Sequence, residues 1–414
     1  MKNAQTGSAP TNASRRIAMS VLFAVSATHL LNDMIQSLIP AIYPIIKSAY
    51  DLDFGQIGLI TLTFQVTASL FQPLIGHYTD RNPMPYSMVA GMGFTLAGLL
   101  GLAYADTYPL LLVAAGCVGI GSSIFHPEAT RMARNASGGQ LGLAQGIFQV
   151  GGQAGGALGP LLAAFIIVPR GQTSLAWFSV AALIAMVLMT WTVGHFAQVR
   201  KKQTAAPKAA PESPPMRTSL SPGRIVFLLA ILMILLFSKN AYTASFTSFY
   251  TFYLIGKFGV SVQASQLMLF LFLLSSAAGA LAGGALGDRI GRDKIIWFSI
   301  VGALPFTVML PFADLFWTGV LTVVINLIMA SAFASIMIYA MELAPSRVGL
   351  IGGLFYGLAF GFGGLAAAAL GELADYTSIE AVYRGCSLLP AIGLLAWFLP
   401  KIKKDAWRAA PAVA

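Results

Sequence analysis

Long apolar stretches recur along the whole chain and are separated by short polar turns. A helix needs about 20 apolar residues to cross the ~30 Å hydrocarbon core of a bilayer. The pattern predicts twelve such helices, at residues 17–46, 54–78, 86–105, 108–135, 140–168, 174–196, 224–255, 263–286, 293–313, 316–343, 347–371 and 379–400. We therefore expect an all-α membrane protein with twelve transmembrane helices.

The composition agrees with this interpretation, because 57% of the residues are hydrophobic and only 10% are charged. A soluble protein carries roughly 25% charged residues, so the composition disfavours a water-soluble enzyme. The net charge of +10 does not collect on a polar domain, and no nucleic-acid partner is expected. Cys117 and Cys386 lie far apart in apolar stretches, which indicates neither a disulfide nor a metal site.

The first apolar stretch has a second interpretation as a signal peptide. Arg15 and Arg16 precede it, and Val25-Ser26-Ala27 could serve as a cleavage site. The apolar run continues well past that site, and cleavage would leave an odd number of spans. We therefore keep it as the first span.

The distribution of basic residues predicts the orientation. If the N-terminus is cytoplasmic, 20 of the 25 Lys and Arg residues lie on inner segments and four on outer loops, and Lys239 falls within span 7. Basic residues favour the cytoplasmic side, so both termini are expected in the cytoplasm.

A proline-rich polar segment divides the chain into two sets of six spans. Residues 198–222 carry five prolines and five basic residues, a composition typical of a solvated linker. The predicted order is a cytoplasmic tail (1–16), an N-terminal half (17–197), a cytoplasmic linker (198–222), a C-terminal half (223–400) and a cytoplasmic tail (401–414).

The two halves resemble each other at a constant offset. His29, Asp33, Tyr43 and Lys47 correspond to Lys239, Thr243, Tyr253 and Lys257, each 210 residues further on. Gly146-Ile-Phe148 and Gly353-Leu-Phe355 match at an offset of 207, and Asp80-Arg81 and Asp288-Arg289 at 208. Such a repeat predicts two parallel six-helix halves with a substrate site between them near the membrane midplane.

Two glycine-rich motifs resemble those of a transporter superfamily. The loop Gly284-Ala-Leu-Gly-Asp288-Arg289-Ile-Gly-Arg292-Asp-Lys294 resembles the signature loop of the major facilitator superfamily. The N-terminal copy keeps Asp80 and Arg81 but lacks the Gly-Arg-Arg that follows in the signature of the superfamily. These charges would form a breakable cytoplasmic latch. Span 5, from Gln149 to Pro160, resembles the glycine-rich fifth helix of drug:proton antiporters, although helix packing alone would require similar residues.

Four longer segments are similar to the fosmidomycin resistance protein family within that superfamily. They are His29-Leu-Leu-Asn-Asp-Met-Ile-Gln36-Ser, Gln56 to Gln65, Ser123-Ile-Phe-His-Pro-Glu128 and Tyr250-Thr-Phe-Tyr-Leu. The resemblance implies a monomeric exporter of a phosphonate antibiotic or other small drugs in the bacterial inner membrane. The driving force would be the proton gradient rather than a cofactor, and the partners would be the drug, protons and membrane lipid.

Ionisable residues at bilayer depth indicate function by default. His29 and Asp33 lie four residues apart on one face of span 1. They could exchange a proton near neutral pH or form a static polar pair that fixes helix packing. Glu128 could carry the coupled proton instead, or the two carboxyl groups could be coupled. The proton-coupling candidates are Asp33, Glu128 and His29.

A substrate site of positive potential would suit a phosphonate. By repeat position, Lys239 would face His29 across the central cavity, while Arg131 could be either a cavity residue or a headgroup anchor. The neutral candidates could also simply join helices. The substrate-binding candidates are His29, Gln36, Gln65, His126, Arg131, Gln149, Lys239, Asn240, Tyr242 and Asn326. The gating candidates are Asp80, Arg81, Asp288, Arg289, Arg292, Pro127, Pro160 and Glu342.

Two alternatives to export remain. A proton-coupled symporter could import a small organic anion or a sugar, although the glycine-rich span 5 disfavours it. A membrane hydrolase or transferase could use His126 and Glu128. A hydrolytic zinc site needs three protein ligands and an open position, and the sequence does not indicate such a cluster, so no metal is expected.

Overall fold

The computed structural model describes residues 12–82, 84, 86–137, 141–203, 221–344 and 348–400, except for some side chains near helix ends. Twelve helical rods follow one another, named α1 to α12 in chain order. The N-terminal half contains α1 (Asn12–Ala41, continued by Tyr43–Ala49), α2 (Phe54–Arg81), α3 (Ser87–Tyr104), α4 (Tyr108–Ala136), α5 (Leu141–Leu162, continued to Arg170) and α6 (Ser179–Gln203, preceded by the 3₁₀ turn Gln172–Phe178).

The C-terminal half has the same order of elements. It contains α7 (Pro222–Phe258), α8 (Val262–Ile290), α9 (Arg292–Val301, continued by Leu304–Met309 and Leu310–Phe312), α10 (Leu315–Ala330 and Ala332–Leu343), α11 (Val348–Tyr376) and α12 (Ile379–Cys386 and Leu389–Phe398). Each rod coincides with one predicted span, so the all-helical prediction is confirmed.

Ten of the described helices are long and apolar enough to cross a membrane. The other two rods, α1 and α11, do not meet that criterion over their described residues. The exact count of twelve spans therefore stays a prediction, whereas a multi-pass helical architecture is established.

Three helices extend five or more residues beyond their predicted spans. Helix α1 begins at Asn12, five residues before the predicted start, α6 continues to Gln203, seven residues past the predicted end, and α11 continues to Tyr376, five residues past it. A hydrophobicity scan assigns the polar and basic residues at the ends of α1 and α6 to loops, although Arg, Lys and Gln favour helix. The rest of the linker, 204–220, and the tails at 1–11 and 401–414 lie outside the described residues.

Local signals explain several helix ends. The Asp53 side chain accepts from the Gln56 N–H and the Gln56 side chain accepts from the Asp53 N–H, a capping box that starts α2. Asp314 and Ser378 cap α10 and α12 with a single bond each, since their side chains accept from the Trp317 and Ala381 amides. Gly171, with φ +80°, makes the tight turn between α5 and α6, because glycine tolerates positive φ.

Small residues let the helices of each half approach closely. A Cβ atom on Gly151 or Gly155 of α5 would overlap the carbonyl oxygens of Ser26 and Leu30 on α1. The glycine-rich stretch of span 5 therefore has a demonstrable packing role. A five-residue π-helical turn, Ala163–Ile167, follows Pro160 in the same rod. Prolines and π-helical turns are both places where helices depart from regular geometry.

The two halves meet along α2 and α11. Gly58 on α2 lies against the Ala367 carbonyl group, and Gly371 on α11 lies against the Phe54 carbonyl group. The Asp375 carboxylate accepts from the Phe54 and Gly55 amides at 2.9 and 2.7 Å. These bonds lie at the end of the bundle opposite Gln203 and Pro222, which we call the far end; the end with Gln203 and Pro222 is the linker end.

Candidate functional site

The first functional pair lies on α1, where His29 and Asp33 are one helical turn apart. The His29 Nε2 atom is 3.2 Å from the Asp33 Oδ2 atom. His29 is buried, with 3% of its surface exposed, whereas 24% of the Asp33 side chain is exposed. The i, i+4 spacing that suggested this contact is therefore realised in the fold.

Helix α4 adds a second imidazole to the same carboxylate. The His126 Nε2 atom is 3.6 Å from Asp33 Oδ1, and the two histidine rings meet edge to face with their centroids 5.2 Å apart. Two helices, α2 and α3, lie between Asp33 and His126 along the chain, so only the packing of α4 against α1 creates this contact.

Two amide side chains complete the surroundings of Asp33. Asn32 Nδ2 donates to Asp33 Oδ1 at 3.0 Å, and Gln36 Nε2 donates to the same oxygen at 3.4 Å. We call Asp33, His29, His126, Asn32 and Gln36 the Asp33 cluster. Asn32 was missing from the candidates drawn from the sequence, although its position next to Asp33 was a usable signal.

Helix α5 fixes the His29 ring from the other side. The Phe148 ring stacks on it with the centroids 4.0 Å apart, and the Phe148 carbonyl group accepts from His29 Nδ1 at 2.8 Å. A Cβ atom on Gly152 would overlap the His29 ring. No sequence pattern marked Phe148 as a site residue, since its role depends on how α5 docks on α1.

Glu128 and Arg131 pair with each other at a distance from this cluster. Arg131 donates to Glu128 Oε1 at 2.7 Å, to the Thr79 carbonyl group at 3.1 Å and to Thr79 Oγ1 at 3.1 Å. Thr79 lies near the linker end of α2, so this network ties α4 to α2 there. Of these two residues of α4, His126 contacts Asp33, whereas Glu128 forms an ion pair with Arg131.

Lys239 is the buried cation of the C-terminal half, with 8% of its surface exposed. Its ammonium lies 5.3 Å from the centre of the Phe333 ring. Among the described residues, no carboxylate pairs with it. The predicted position opposite His29 remains a prediction.

The remaining substrate-binding candidates do not join the Asp33 cluster. Asn326 donates to the Phe272 carbonyl group, which ties α10 to α8. Gln65 lies against Gly363 of α11, and Tyr242 is buried beside Phe246. Asn240 and Gln149 are half-buried, and the Asn240 Nδ2 atom has no hydrogen-bond partner among the described residues.

Among the gating candidates, Arg292 and Glu342 form an ion pair that joins the start of α9 to the end of α10. Pro127 lies inside the continuous helix α4, and Pro160 inside α5. The side chains of Asp80, Arg81, Asp288 and Arg289 lie outside the described residues, so the proposed latch stays a prediction.

The structure also brings together three metal-ligand side chains that the sequence did not place together. One ligand atom from each of His29, Asp33 and His126 lies within 4.8 Å of the other two. The sequence did not indicate this cluster, because spacing along the chain does not show the contact between α1 and α4. The expectation that no metal is bound stays a prediction.

Comparisons with known proteins agree on one family. The profile described as Major Facilitator Superfamily matches residues 25–368 and 240–414. The chain is 53% identical over 394 residues to the fosmidomycin resistance protein of Escherichia coli K12, with 95% of this chain and 96% of that protein covered. It is 36% identical to the uncharacterized MFS-type transporter YfnC of Bacillus subtilis 168, with 93% of each chain covered.

Solved transporter structures share the fold at low sequence identity. A bacterial homologue of the human lysosomal transporter Spinster, in an inward-facing and occupied conformation, superposes with a TM-score of 0.69 at 15% identity and 95% coverage of both chains. The nucleoside transporter NupG gives a TM-score of 0.69 at 15% identity, with 94% of this chain and 100% of that chain covered.

Proposed function

Because this chain belongs to the major facilitator superfamily and is a multi-pass membrane transporter, we propose that it exports small anionic drugs of the phosphonate type in exchange for protons. It does so by alternating access between its two halves. In this proposal the chain acts as a monomer in the bacterial inner membrane, with both termini in the cytoplasm and no cofactor.

The substrate class is inferred from two features. The relative that is 53% identical is named for fosmidomycin resistance. Lys239 supplies a buried positive charge that no described carboxylate neutralises. A phosphonate has several acceptor oxygens and at least one negative charge, which a buried ammonium and imidazoles can bind by charge-assisted hydrogen bonds.

The Asp33 cluster is the observation that carries the coupling mechanism. The Asp33 carboxylate is in contact with two imidazoles, and an imidazole gains or loses its charge in the physiological pH range. The cluster as a whole can therefore take up a proton and release it. A proton that enters from outside neutralises Asp33 and favours the conformational change that returns the carrier. Export of an anion also gains about 2.3 kcal/mol per charge at 100 mV.

The contacts between the halves support access from the linker end. At the far end, the halves are joined by Asp375 to the Phe54 and Gly55 amides, and by Gln266 Nε2 to the Ala41 carbonyl group at 2.8 Å. Thr61 and Ser248 add a hydroxyl contact of 3.2 Å. Because these bonds must break before the far end opens, we interpret the structure as a state that loads substrate from the cytoplasm.

The test compares drug sensitivity in a host that lacks its main efflux pumps. We expect expression of the protein to raise the inhibitory concentration of fosmidomycin and of other small phosphonates. Equal sensitivity to every compound of the panel, with and without well-expressed protein, would rule out the exporter.

The direction of transport needs a second measurement. With labelled fosmidomycin, inside-out vesicles should accumulate the drug when their lumen is acidified, because they present the cytoplasmic face outward. Accumulation in right-side-out vesicles under an inward proton gradient would instead establish the symporter alternative. Omitting the gradient is the control for binding to the membrane.

A further inference from the structure

Three side chains of the Asp33 cluster form a compact set of metal ligands. His29 and Asp33 from α1 and His126 from α4 each present one nitrogen or oxygen atom within 4.8 Å of the other two. From their arrangement we propose that His29, Asp33 and His126 bind a divalent transition-metal ion of the Zn²⁺ class. This proposal goes beyond transport, and metal binding does not depend on what the protein exports.

The distances fit tetrahedral coordination. Two ligand atoms that each lie ~2.05 Å from a tetrahedral zinc ion are about 3.3 Å apart. His29 Nε2 is 3.2 Å from Asp33 Oδ2, and His126 Nε2 is 3.6 Å from Asp33 Oδ1. An ion between these atoms therefore requires shifts of only a few tenths of an ångström for the carboxylate contacts. The ligand atoms of the two histidines lie within 4.8 Å of each other and would have to approach to about 3.3 Å.

The hydrogen bonds of both histidines orient their Nε2 atoms toward this point. His29 Nδ1 is 2.8 Å from the Phe148 carbonyl oxygen, and His126 Nδ1 is 2.9 Å from the Ser122 carbonyl oxygen. A carbonyl oxygen can only accept, so in the neutral imidazole the proton is on Nδ1 and the Nε2 lone pair is free. Metal-binding histidines commonly have such a second bond, which fixes the tautomer and the ring orientation.

The Nε2 atom of His29 provides a second, independent indication. It is buried and lies 3.2 Å from the Asp33 carboxylate without the geometry of a hydrogen bond. In the tautomer with the proton on Nδ1, its lone pair faces the negatively charged oxygen with no hydrogen between them. A buried polar atom without a partner is costly. Coordination to a cation would satisfy it.

The site can accept a fourth ligand and is held in place by its neighbours. About a quarter of the Asp33 and His126 side chains is exposed, which leaves access for an ion and for a water molecule or another oxygen ligand. The stacked Phe148 ring restricts His29 to this orientation. Two imidazoles and one carboxylate suit Zn²⁺, Co²⁺, Ni²⁺ and Fe²⁺ better than Mg²⁺ or Ca²⁺.

The test measures binding of metal to the purified protein, with Zn²⁺ by calorimetry and with Co²⁺ by visible absorption. The protein carries an affinity tag without histidine and is reconstituted in nanodiscs. We expect one Zn²⁺ per chain and the intense absorption bands of tetrahedral Co²⁺. No binding above that of empty nanodiscs would overturn the proposal.

The four histidines of the chain supply matched variants. His126→Gln and Asp33→Asn should weaken Zn²⁺ binding by more than about 100-fold, beyond the loss typical of an outer-shell partner. His77→Gln and His195→Gln should leave it unchanged, because His77 is exposed on α2 and His195 stacks on Trp191 in α6.

These variants separate ligation from a folding defect. If His126→Gln elutes as a monodisperse protein and still binds Zn²⁺ like the wild type, His126 is not a ligand and the proposal fails. If His77→Gln or His195→Gln removes Zn²⁺ binding as completely as His126→Gln does, the ion is bound elsewhere and the proposal likewise fails.

Metal binding and the proposed export can fail separately. The binding assay contains no drug and no proton gradient, so its result stands whether or not fosmidomycin is transported. If the protein also exports drug in exchange for entering protons, Zn²⁺ should inhibit export in the wild type, because it occupies the Asp33 carboxylate. That expectation alone rests on the proposed function.

Discussion

The two halves share one helical order but differ in what their first helices carry. In the N-terminal half, His29 and Asp33 of α1 meet His126 of α4. The repeat positions in α7 hold Lys239 and Thr243, and all four histidines of the chain lie in the N-terminal half. The halves therefore keep a common scaffold, while the groups able to exchange protons or bind metal belong to one side.

In the C-terminal half, aromatic side chains pack around α7, where the N-terminal half has ionisable residues. Tyr253 stacks on Tyr383 with the ring centroids 4.2 Å apart, and Phe246 stacks on Phe272 at 4.6 Å. The hydroxyl of Tyr383 donates to the Ser245 carbonyl group at 2.9 Å. From this difference we expect the N-terminal half to change its charge during transport. The C-terminal half would provide a fixed cation, Lys239, on a scaffold of packed aromatic side chains.

The largest effect should come from removing the charge of the N-terminal half. Asp33→Asn keeps the size of the side chain but cannot release a proton, so proton-coupled export should fall to background. Labelled-drug uptake into inside-out vesicles measures it. Asp106→Asn, in an exposed turn between α3 and α4, is the matched control and should transport normally. Full activity of a correctly inserted Asp33→Asn protein would remove Asp33 from the mechanism.

A smaller but still severe effect is expected from crowding the same cluster without changing any charge. In Gly152→Ala the added methyl group would overlap His29 and come within 2.9 Å of Asp33 Oδ2. Overpacking of this kind costs about 1–3 kcal/mol, so the apparent Tm and export should both fall. Gly156→Ala is one turn away on α5 and has open space at its Cβ position.

That control should keep export and show an unchanged or raised Tm, because alanine favours helix over glycine. If Gly152→Ala behaved like Gly156→Ala, the tight seating of His29 between α1 and α5 would not matter to function.

The fixed cation of the C-terminal half should affect substrate affinity rather than coupling. Because a hydrogen bond to a charged group contributes about 1.5–3 kcal/mol, Lys239→Gln should raise the KM for a phosphonate by about tenfold or more. The KM of an uncharged substrate should hardly change. Lys294→Gln, exposed at the start of α9, is the control. A loss of coupling with an unchanged KM would contradict the proposed division between the halves.

Much of the fold could be predicted because the bilayer imposes it locally. A span of about 20 apolar residues must form a helix, since lipid cannot satisfy free backbone groups. Hydrophobicity therefore located all twelve rods to within a few residues. It missed the polar ends of α1 and α6, where helix formation continues beyond the apolar core to Asn12 and Gln203.

The candidate site was predictable only where it lies on one helix. The His29–Asp33 and Glu128–Arg131 contacts follow from the i, i+4 and i, i+3 geometry. Asn326 was placed among the binding residues, but in the structure it ties α10 to α8. A polar residue in a span can face a cavity or a neighbouring helix, and the sequence does not distinguish the two.

The sequence by itself determined the class of protein, the helical rods, the two-half repeat and the pairs formed within one helix, because these depend on nearest-neighbour geometry and on the cost of polar groups in lipid. Only the tertiary structure decided which helices touch. It brought His126 of α4 to Asp33, and it set Phe148 and Gly152 of α5 against His29. Those contacts turn separate polar residues into one site, since they require close approach of helices that are distant along the chain.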